Sequence, residues 1–213
     1  MEATLVAEKD ITKTQLVKGR FLNLFELTDQ GKKHLHFERP FKPGQERLSS
    51  GCDIVALGVD PKSNRLKIIL EIIYRVPIAK YVIQVPAGMR DEHERDLVGS
   101  ALRELKEETG YIGTAPISDT ILRLKPILES PILYNDPWKS NETTNLITLE
   151  VDFSLPENVN PQPHLEDDED IEVIILDLLD LQKELEEIQR VRGVEVDNRV
   201  HMLAMGLQLA AHL

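Results

Sequence analysis

The pattern of apolar and polar positions predicts mainly β-structure in the first part of the chain. Two half-apolar segments, Arg20 to Leu27 and Lys33 to Glu38, flank Asp29-Gln30-Gly31 and predict a β-hairpin. Aliphatic runs separated by turn residues such as Asp60-Pro61-Lys62-Ser63-Asn64 predict further strands. These strands are expected over residues 53–58, 66–75 and 80–85.

After Pro86-Ala87-Gly88 the apolar residues recur at the spacing of a helix. An apolar stripe predicts an amphipathic helix from about Asp96 to Thr109, with Gly110 as its stop. The stripe consists of Val98, Ala101, Leu102 and Leu105. We therefore expect this helix to pack on a core.

The second half of the chain contains apolar runs and loops without a regular alternation of strands and helices. Two apolar stretches lie over residues 121–128 and 145–153, a strand is predicted over residues 171–176, and helices are predicted near 179–190 and 198–213. Pro156, Pro161 and Pro163 predict a loop without regular structure. This order favours an α+β fold, with a mixed sheet flanked by helices, over a doubly wound fold.

Residues 1–50 are predicted to form strands but contain few apolar side chains. Such a segment does not bury enough apolar surface to fold alone, so we expect it to pack against a partner. The predicted organisation is a β-rich segment over residues 1–50 and a larger domain over residues 51–213.

Composition and charge restrict the partners and the compartment. The formal net charge of −12 argues against a nucleic-acid polymer or an anionic membrane as the partner, although cations could still help a small phosphate ester to bind. Cys52 is the only cysteine, which excludes an intramolecular disulfide and indicates a reducing compartment. The first residues lack a signal-peptide pattern, and no run approaches the roughly 20 apolar residues of a membrane helix. We expect a cytoplasmic protein, with the nucleus as the alternative.

Glu104, Glu107 and Glu108 lie three and four residues apart on the predicted helix and project from one face. Like charges on one face repel each other, and a divalent cation removes this repulsion. Hard oxygen ligands suit Mg²⁺ or Mn²⁺. The alternative is an exposed helix whose charges form ordinary surface pairs, such as Arg103 with Glu107.

The segment from Gly88 to Gly110 resembles the Nudix box, in which a glycine and a glutamate precede Arg-Glu-apolar-x-Glu-Glu-x-Gly. Arg103 and the three glutamates fill this core, whereas eight residues instead of seven separate Glu94 from Arg103. The resemblance implies a Nudix-type α/β/α sandwich with a mixed sheet. It also implies metal-dependent attack of water on a diphosphate.

The resemblance further implies the composition of the metal site. Glu104 and Glu108 would be the main ligands, with Glu107 close by and with help from the carbonyl of Ala87. Glu107 and Arg103 would also serve catalysis, and Arg103 would do so by pairing with a neighbouring glutamate. The expected cofactor is Mg²⁺, with Mn²⁺ as the alternative.

Segments outside the box are similar to eukaryotic ADP-sugar diphosphatases, which act on ADP-ribose. They are Arg75-Val76-Pro77, Ile83 to Gly88, Tyr134 to Pro137, Leu165 to Glu172 and Asp197 to Val200. This similarity implies that Glu169 is a catalytic glutamate. It also implies that Arg75 grips a phosphate or the base and that Asp136 lies near the substrate.

In that family two tryptophans, one from each subunit of a dimer, enclose the adenine. Phe21 and Phe37 occupy the corresponding positions, and Glu38 follows directly. The small N-terminal segment would thus be a dimerisation piece, although both phenylalanines could instead be hairpin core residues. Two departures from the family are Gln84, where a glutamate is usual, and Trp138, where a glycine is usual.

The leading hypothesis is a homodimeric Mg²⁺-dependent hydrolase of ADP-ribose or a related nucleoside diphosphate sugar, which yields AMP and a sugar phosphate. One alternative is a Nudix hydrolase of another nucleotide, such as a dinucleotide or an oxidised nucleotide. A second alternative is a Nudix protein that binds ADP-ribose without hydrolysing it. The complete set of glutamates argues against the second alternative.

Overall fold

The computed structural model of the protein describes residues 11–40, 49–90, 96–115, 129–166 and 169–211. The chain divides into two units. The first contains the residues up to Ser50 together with Ile132–Thr144, and the second contains Gly51–Pro131 and Asn145–Leu213. The boundary after Ser50 coincides with the domain boundary expected from the sequence. Residues 132–144 were expected in the second domain but belong to the first unit.

The described elements comprise twelve strands, four α-helices and one 3₁₀ turn over Val76–Ile78. The strands are β1 (Thr12–Lys18), β2 (Asn23–Asp29), β3 (Lys32–Glu38), β4 (Gly51–Val59), β5 (Leu66–Arg75), β6 (Lys80–Gln84), β7 (Ala87–Met89), β8 (Gly113–Thr114), β9 (Leu133–Tyr134), β10 (Thr143–Val151), β11 (Ile171–Asp177) and β12 (Glu195–Val196). The helices are α1 (Leu97–Thr109), α2 (Pro156–Val159), α3 (Leu181–Arg192) and α4 (Asn198–Ala210).

Three antiparallel strands, in the order β1-β2-β3, form the sheet of the first unit. β2 and β3 are the predicted hairpin, and Gln30 and Gly31 join them with positive φ at both positions. This two-residue turn has the twist that suits paired strands. β1 was not predicted, because its sequence is largely polar.

The segment over residues 132–144 belongs to the first unit through hydrogen bonds to the end of β3 and the residues after it. The N–H of Phe37 donates to the carbonyl of Lys139 at 2.7 Å. The guanidinium of Arg39 pairs with the carboxylate of Glu142 at 3.0 Å, and the side chain of Asn141 exchanges two hydrogen bonds with the backbone of Arg39. These contacts join residues about a hundred positions apart in sequence.

In the second unit the main path of the sheet is β12-β6-β5-β4-β10-β8, with β11 paired to β5 and β7 paired to β4. β12 and β6 run parallel, whereas β5 is antiparallel to β6, β4 and β11. The pairs of β4 with β7 and of β10 with β8 are also antiparallel. The mixed sheet predicted from the sequence is therefore confirmed.

β5 has two successive neighbours along one of its edges. Its residues Leu66 to Ile69 pair with β4, and its residues Glu71 to Arg75 pair with β6. The first residues of β4 pair instead with β7, while β11 follows the other edge of β5. β4 and β6 therefore separate beside Glu71.

Apolar side chains of the sheet alternate between two cores. Ile68, Leu70 and Ile72 pack with buried residues of α3 and α4, whereas Ile69 packs with buried residues of α1. The sheet thus lies between α1 on one face and α3 with α4 on the other. This is the α/β/α sandwich that the sequence resemblance implied.

Most predicted elements are present with small shifts at their ends, which are the least determined part of any helix or strand. The predicted irregular loop was wrong in one respect, because residues 156–159 form the short helix α2. Its proline lies in the first turn, where a backbone N–H has no hydrogen-bond partner within the helix, so the lack of an N–H costs no hydrogen bond. The apolar stretch over residues 121–128 lies outside the described residues. Within the described residues, no helix has the length and apolarity needed to cross a membrane.

Candidate active site

The carboxylate of Glu71 is buried where β4 and β6 separate. Side chains alternate along a strand, so Glu71 shares the α1 face of β5 with Ile69. Gln84, its partner on β6, donates from Nε2 to Oε1 of Glu71 at 2.6 Å. The Oε1 of Gln84 accepts from Nε of Arg75 at 2.9 Å. A chain of Arg75, Gln84 and Glu71 thus runs along this face of the sheet.

Helix α1 presents its glutamates to β7. The carboxylate of Asp96 caps its start by accepting from the N–H of Gly99 at 2.6 Å, and Gly110 ends it with a φ of 75°. The predicted apolar stripe is confirmed, since Ala101 and Leu105 are buried and the partly buried Val98 and Leu102 pack against the same core. Leu97, which the stripe did not include, is buried as well.

Glu108 is the most deeply buried of the three helix glutamates, with 5% of its surface exposed. Its Oε2 accepts from the N–H of Ala87 at 3.1 Å. Burial raises the pKa of Glu108 well above the usual carboxylate range, and the nearby carboxylates of Glu71 and Glu104 raise it further. Burial likewise raises the pKa of Glu71, although Gln84 and Arg75 oppose that shift.

Gly88 provides the space for the Glu104 side chain. A Cβ placed on Gly88 would lie 1.9 Å from Cδ of Glu104 and 2.1 Å from its Oε1. No side chain larger than hydrogen fits there unless the glutamate moves. The first glycine of the motif therefore lets the helix carboxylate lie directly against the strand backbone.

Arg103 joins the remaining carboxylates to the end of β7. Its Nη1 donates to Oε2 of Glu107 at 2.7 Å, and its Nη2 donates to Oε1 of Glu104 at 3.0 Å and to the carbonyl of Met89 at 3.2 Å. The expected pairing of Arg103 with a neighbouring glutamate is therefore present. The alternative of a wholly solvent-exposed acidic face does not hold, because Glu108 is buried.

A cavity of about 480 Å³ lies at the end of β5. Arg75 and Glu169 both line it. The carboxylate of Glu169 accepts from the N–H of Glu166 at 2.9 Å, and the hydroxyl of Tyr81 donates to the neighbouring Asp170 at 2.7 Å. The wall of the cavity thus contains a cation and a carboxylate, and the charge of Glu169 raises the pKa values of Glu71 and Glu108.

The donor set fits a hard divalent cation. Oε2 of Glu71 is a buried oxygen without a hydrogen-bond partner in the described part of the chain, and the charge of Glu71 raises the pKa of the buried Glu108 carboxyl. Within the same residues no three carboxylate, histidine or cysteine side chains converge as a complete metal cage. Arg103 holds Glu104 and Glu107 instead. Mg²⁺ suits such an arrangement, because it is usually bound by one or two carboxylates, water and substrate phosphate.

The other predicted site residues lie in the first unit. Phe21 and Phe37 are 62% and 46% exposed, which contradicts the alternative that they are core residues of the hairpin. Glu38 is paired with Lys13, and Asp136 is paired with Lys139 at 2.5 Å. Their roles in substrate binding remain predictions. Glu94, which the box includes, lies outside the described residues.

Sequence reasoning did not identify two groups of the second unit. Glu71 could have been found as the one charged residue within the aliphatic run Ile68-Ile69-Leu70-Glu71-Ile72-Ile73. Asp53 lies on the opposite face, where both of its oxygens accept from Nη1 of Arg199 at 2.9 Å. Arg199 also binds Asp197, at 2.9 and 3.1 Å. No local pattern relates Asp53 to residues so distant in sequence.

Comparison with known proteins agrees with this geometry. The sequence model of the NUDIX domain matches residues 72–194. The chain is 40% identical over 144 residues to the ADP-ribose pyrophosphatase of Saccharomyces cerevisiae, which covers 68% of this chain and 57% of that protein. It is 36% identical over 162 residues to an uncharacterised Nudix hydrolase of Schizosaccharomyces pombe, across 76% of this chain and 73% of that protein.

Two further matches support the same relationship. The ADP-sugar pyrophosphatase of Mus musculus is 33% identical over 137 residues, which cover 64% of this chain and 57% of the mouse protein. A crystal structure of an ADP compounds hydrolase superposes with a TM-score of 0.59 and 14% identity, over 95% of this chain and 94% of that one. At that identity the superposition shows a shared fold. The matched domain covers more than half of the chain and contains the carboxylates of α1, so the protein belongs to the Nudix family and is a Nudix hydrolase.

Proposed function

We propose that the protein hydrolyses the diphosphate bond of ADP-ribose or a related nucleoside diphosphate sugar with Mg²⁺, and that it releases AMP and a sugar phosphate. The observation that carries this proposal is the cavity lined by Arg75 and by Glu169, whose charge raises the pKa values of the buried Glu71 and Glu108. The names of the yeast and mouse relatives, both of them pyrophosphatases of ADP compounds, support the substrate class.

The carboxylates of α1 would hold the cation. Glu104 and Glu108 are the main ligands in this proposal, with Glu107 nearby and the carbonyl of Ala87 as a further donor. A bound Mg²⁺ or Mn²⁺ neutralises the diphosphate and lowers the pKa of water. Arg103 fixes Glu104 and Glu107 through its guanidinium, so that both carboxylates have defined positions before the substrate binds.

Arg75 and Glu169 act on the substrate from the cavity. The guanidinium of Arg75 grips phosphate oxygens with its fork of N–H donors. Glu169 accepts a proton from the attacking water as the new bond to phosphorus forms and the bridging P–O bond breaks. Phe21, Phe37, Glu38 and Asp136 contact the nucleoside in this proposal, and Phe21 and Phe37 stack on the base.

Turnover of a panel of diphosphate compounds, with and without Mg²⁺, tests the function. We expect turnover of ADP-ribose that requires the metal, and we expect Glu108→Gln to reduce it by about 100-fold or more, because an active-site charge is lost. Glu187→Gln is the matched control, since Glu187 is an exposed glutamate of α3 paired with Arg190. That variant should retain wild-type turnover.

Two outcomes would contradict the proposal. Rapid turnover of a dinucleotide or an oxidised nucleotide, with ADP-ribose left intact, would identify a different Nudix hydrolase. Binding of ADP-ribose without turnover at any metal concentration would identify a binding protein. Product analysis by chromatography distinguishes AMP with a sugar phosphate from other cleavage products.

We also propose that the protein acts in the cytoplasm, with the nucleus as the alternative, and that its ligands do not include nucleic-acid polymers or membranes. A single cysteine, Cys52, which excludes an intramolecular disulfide, and a net charge of −12 support these assignments. Fluorescence microscopy of the tagged full chain tests the location. Recovery of the protein in a membrane or secreted fraction would contradict it.

A further inference from the structure

Gln84 joins a cation to a buried carboxylate. It is 5% exposed on β6, and alternation along the strand directs it to the α1 face while Ile83 faces the opposite core. Its Oε1 accepts from Nε of Arg75 at 2.9 Å and from Nη2 at 2.5 Å, and its Nε2 donates to Glu71 at 2.6 Å. Both ends of the amide are therefore engaged.

The amide of Gln84 suits both of its neighbours. Arg75 can only donate hydrogen bonds, and Oε1 of Glu71 accepts one here. An amide accepts at one end and donates at the other, whereas a carboxylate only accepts when ionised. A glutamate at position 84 could bond to Glu71 only if one of the two carboxyls kept a proton. It would also add a titratable acid to a buried cluster of carboxyls whose pKa values are already raised.

The neutral amide oxygen of Gln84 affects the charge that Arg75 presents to the cavity. Two bonds to one oxygen fix the orientation of the Arg75 guanidinium, but they do not cancel its charge as an ion pair would. Of the five N–H groups of a guanidinium, these bonds use two. Arg75 lines the cavity and forms no ion pair with the residues that the structure describes, so its remaining donors and its positive charge can face an anionic ligand.

We propose that Gln84 is a positioning residue that determines specificity: it holds Arg75 at the cavity wall without neutralising it, so that the guanidinium binds the diphosphate of the substrate. The identity of the diphosphate ligand rests on the proposed function, whereas the hydrogen-bonded chain rests on the described residues alone. The distinguishing property is charge, because Gln and Glu have nearly the same shape.

Steady-state kinetics of Gln84→Glu on ADP-ribose with Mg²⁺ test the proposal. We expect KM to rise by about tenfold with kcat within about twofold, because an ion pair would compete with the diphosphate for Arg75 in ground state and transition state alike. The rise in KM with ionic strength should be weaker than in the wild type, since the effective charge of Arg75 is lower. Gln208→Glu, a gain of the same charge at an exposed position of α4, should leave KM unchanged.

A double-mutant cycle separates positioning from a general structural effect. In an Arg75→Ala background, Gln84→Glu should change KM by less than about twofold, because the two residues act through one interaction. An undiminished effect on KM in that background would overturn the proposal. A fall of kcat in Gln84→Glu together with a lower melting temperature would also overturn it, because it would indicate a general structural effect. Thermal unfolding of each variant confirms that it is folded.

Binding measurements distinguish failure of this inference from failure of the proposed function. If the wild type does not turn over ADP-ribose, the proposed function fails. The four proteins of the cycle, which are the wild type, Gln84→Glu, Arg75→Ala and the double variant, are then titrated with ADP and Mg²⁺ by calorimetry. We expect the Kd of ADP to rise about tenfold in Gln84→Glu and to be insensitive to that change in the Arg75→Ala background. Equal ADP affinity in the wild type and Gln84→Glu, or no ADP binding by the wild type, would overturn the inference.

Discussion

Gly88 determines the position of the Glu104 carboxylate, because a residue without a side chain leaves the space that this carboxylate occupies. The backbone of Gly88 has the negative or extended φ that any residue adopts, so its requirement is one of space. All three of the nearest atoms to an added Cβ belong to the carboxylate end of Glu104, which is flexible. A larger residue would therefore move the Glu104 carboxylate, which is a metal ligand in the proposed function, and leave the fold intact.

Gly88→Ala should lower metal-dependent turnover by at least about tenfold, because displacement of a catalytic group by about 1 Å has effects of this size or larger. Its melting temperature should remain close to that of the wild type. Gly206→Ala is the matched control, since an added Cβ on this exposed glycine of α4 meets nothing within 4 Å. The control should keep full activity and stabilise the protein by roughly 0.5–1 kcal/mol. Loss of stability in Gly88→Ala would contradict the prediction.

Glu71 and Glu108 predict a pH dependence of stability. Burial raises the folded-state pKa of each carboxyl above its unfolded value, so the folded chain without metal binds more protons than the unfolded chain. Stability from these groups is therefore complete below the usual carboxylate pKa and decreases as pH rises toward the raised values. A divalent cation should offset this loss, because it replaces the protons.

Unfolding midpoints measured from about pH 6 to pH 8.5, with and without Mg²⁺, check this pH dependence. The increase in melting temperature caused by Mg²⁺ should grow with pH in the wild type and should be smaller in Glu108→Gln. The exposed variant Glu187→Gln should behave as the wild type does. A metal effect that shrinks as pH rises would contradict the assignment of the raised pKa values.

At the scale of elements, α4 is joined to the sheet by a buried charge. The carboxylate of Asp53 on β4 is 2% exposed, and both of its oxygens accept from Arg199 in the first turn of α4. Asp53 is also the partner of Ala87 in the pairing of β4 with β7. The ion pair of Asp53 with Arg199 therefore supports the strand whose Ala87 N–H donates to Glu108. The pKa of Arg199 is raised, first by its hydrogen bond to Asp197 and then by the charge of Asp53.

Arg199→Ala should lower the free energy of unfolding by about 3 kcal/mol, because it leaves the Asp53 carboxylate buried without its charged partner. The low end of the usual range applies, since the Arg199 side chain is 41% exposed and water can partly replace it. Arg190→Ala, which removes only an exposed pair with Glu187, should change the free energy by less than about 0.5 kcal/mol. Equal effects of the two variants in chemical denaturation would contradict this account.

The elements themselves were largely predictable, for reasons visible in particular residues. β5 and β6 were identified because isoleucine and valine runs are typical of buried strands, and α1 because its apolar stripe recurs at helical spacing. β1 escaped prediction because its polar residues depend on pairing with β2, which is a non-local contact. α2 escaped because three prolines nearby indicated a loop, although a proline is tolerated in a first turn.

At the scale of the whole molecule, the proposed homodimer rests on the first unit. This unit exposes several large apolar side chains, which are Leu16 and Val17 on β1, Phe21 between β1 and β2, and Leu35 and Phe37 on β3. Exposed apolar side chains of this kind often mark a contact with another chain.

Sedimentation of the full chain should give a mass of about 48 kDa, twice the chain mass of 24.2 kDa. Leu35→Glu should shift the protein toward the monomer, because a charge on an exposed β3 residue would be desolvated in an apolar interface. Met202→Glu is the matched control on α4 of the second unit and should leave the mass unchanged. A wild-type monomer near 24 kDa would remove the shared adenine site from the proposal.

The sequence by itself determined the helix that carries Glu104, Glu107 and Glu108 and the positions of most strands along the chain. Both follow from periodicity and from a local motif, since Glu104, Glu107 and Glu108 are neighbours on any helix that contains them. Only the tertiary structure decided that Glu71 lies beside Glu108, that Gln84 joins it to Arg75, and that Asp53 binds Arg199. These contacts depend on strand pairing and on helices packed across a sheet, and residues far apart in sequence carry no local signal of them.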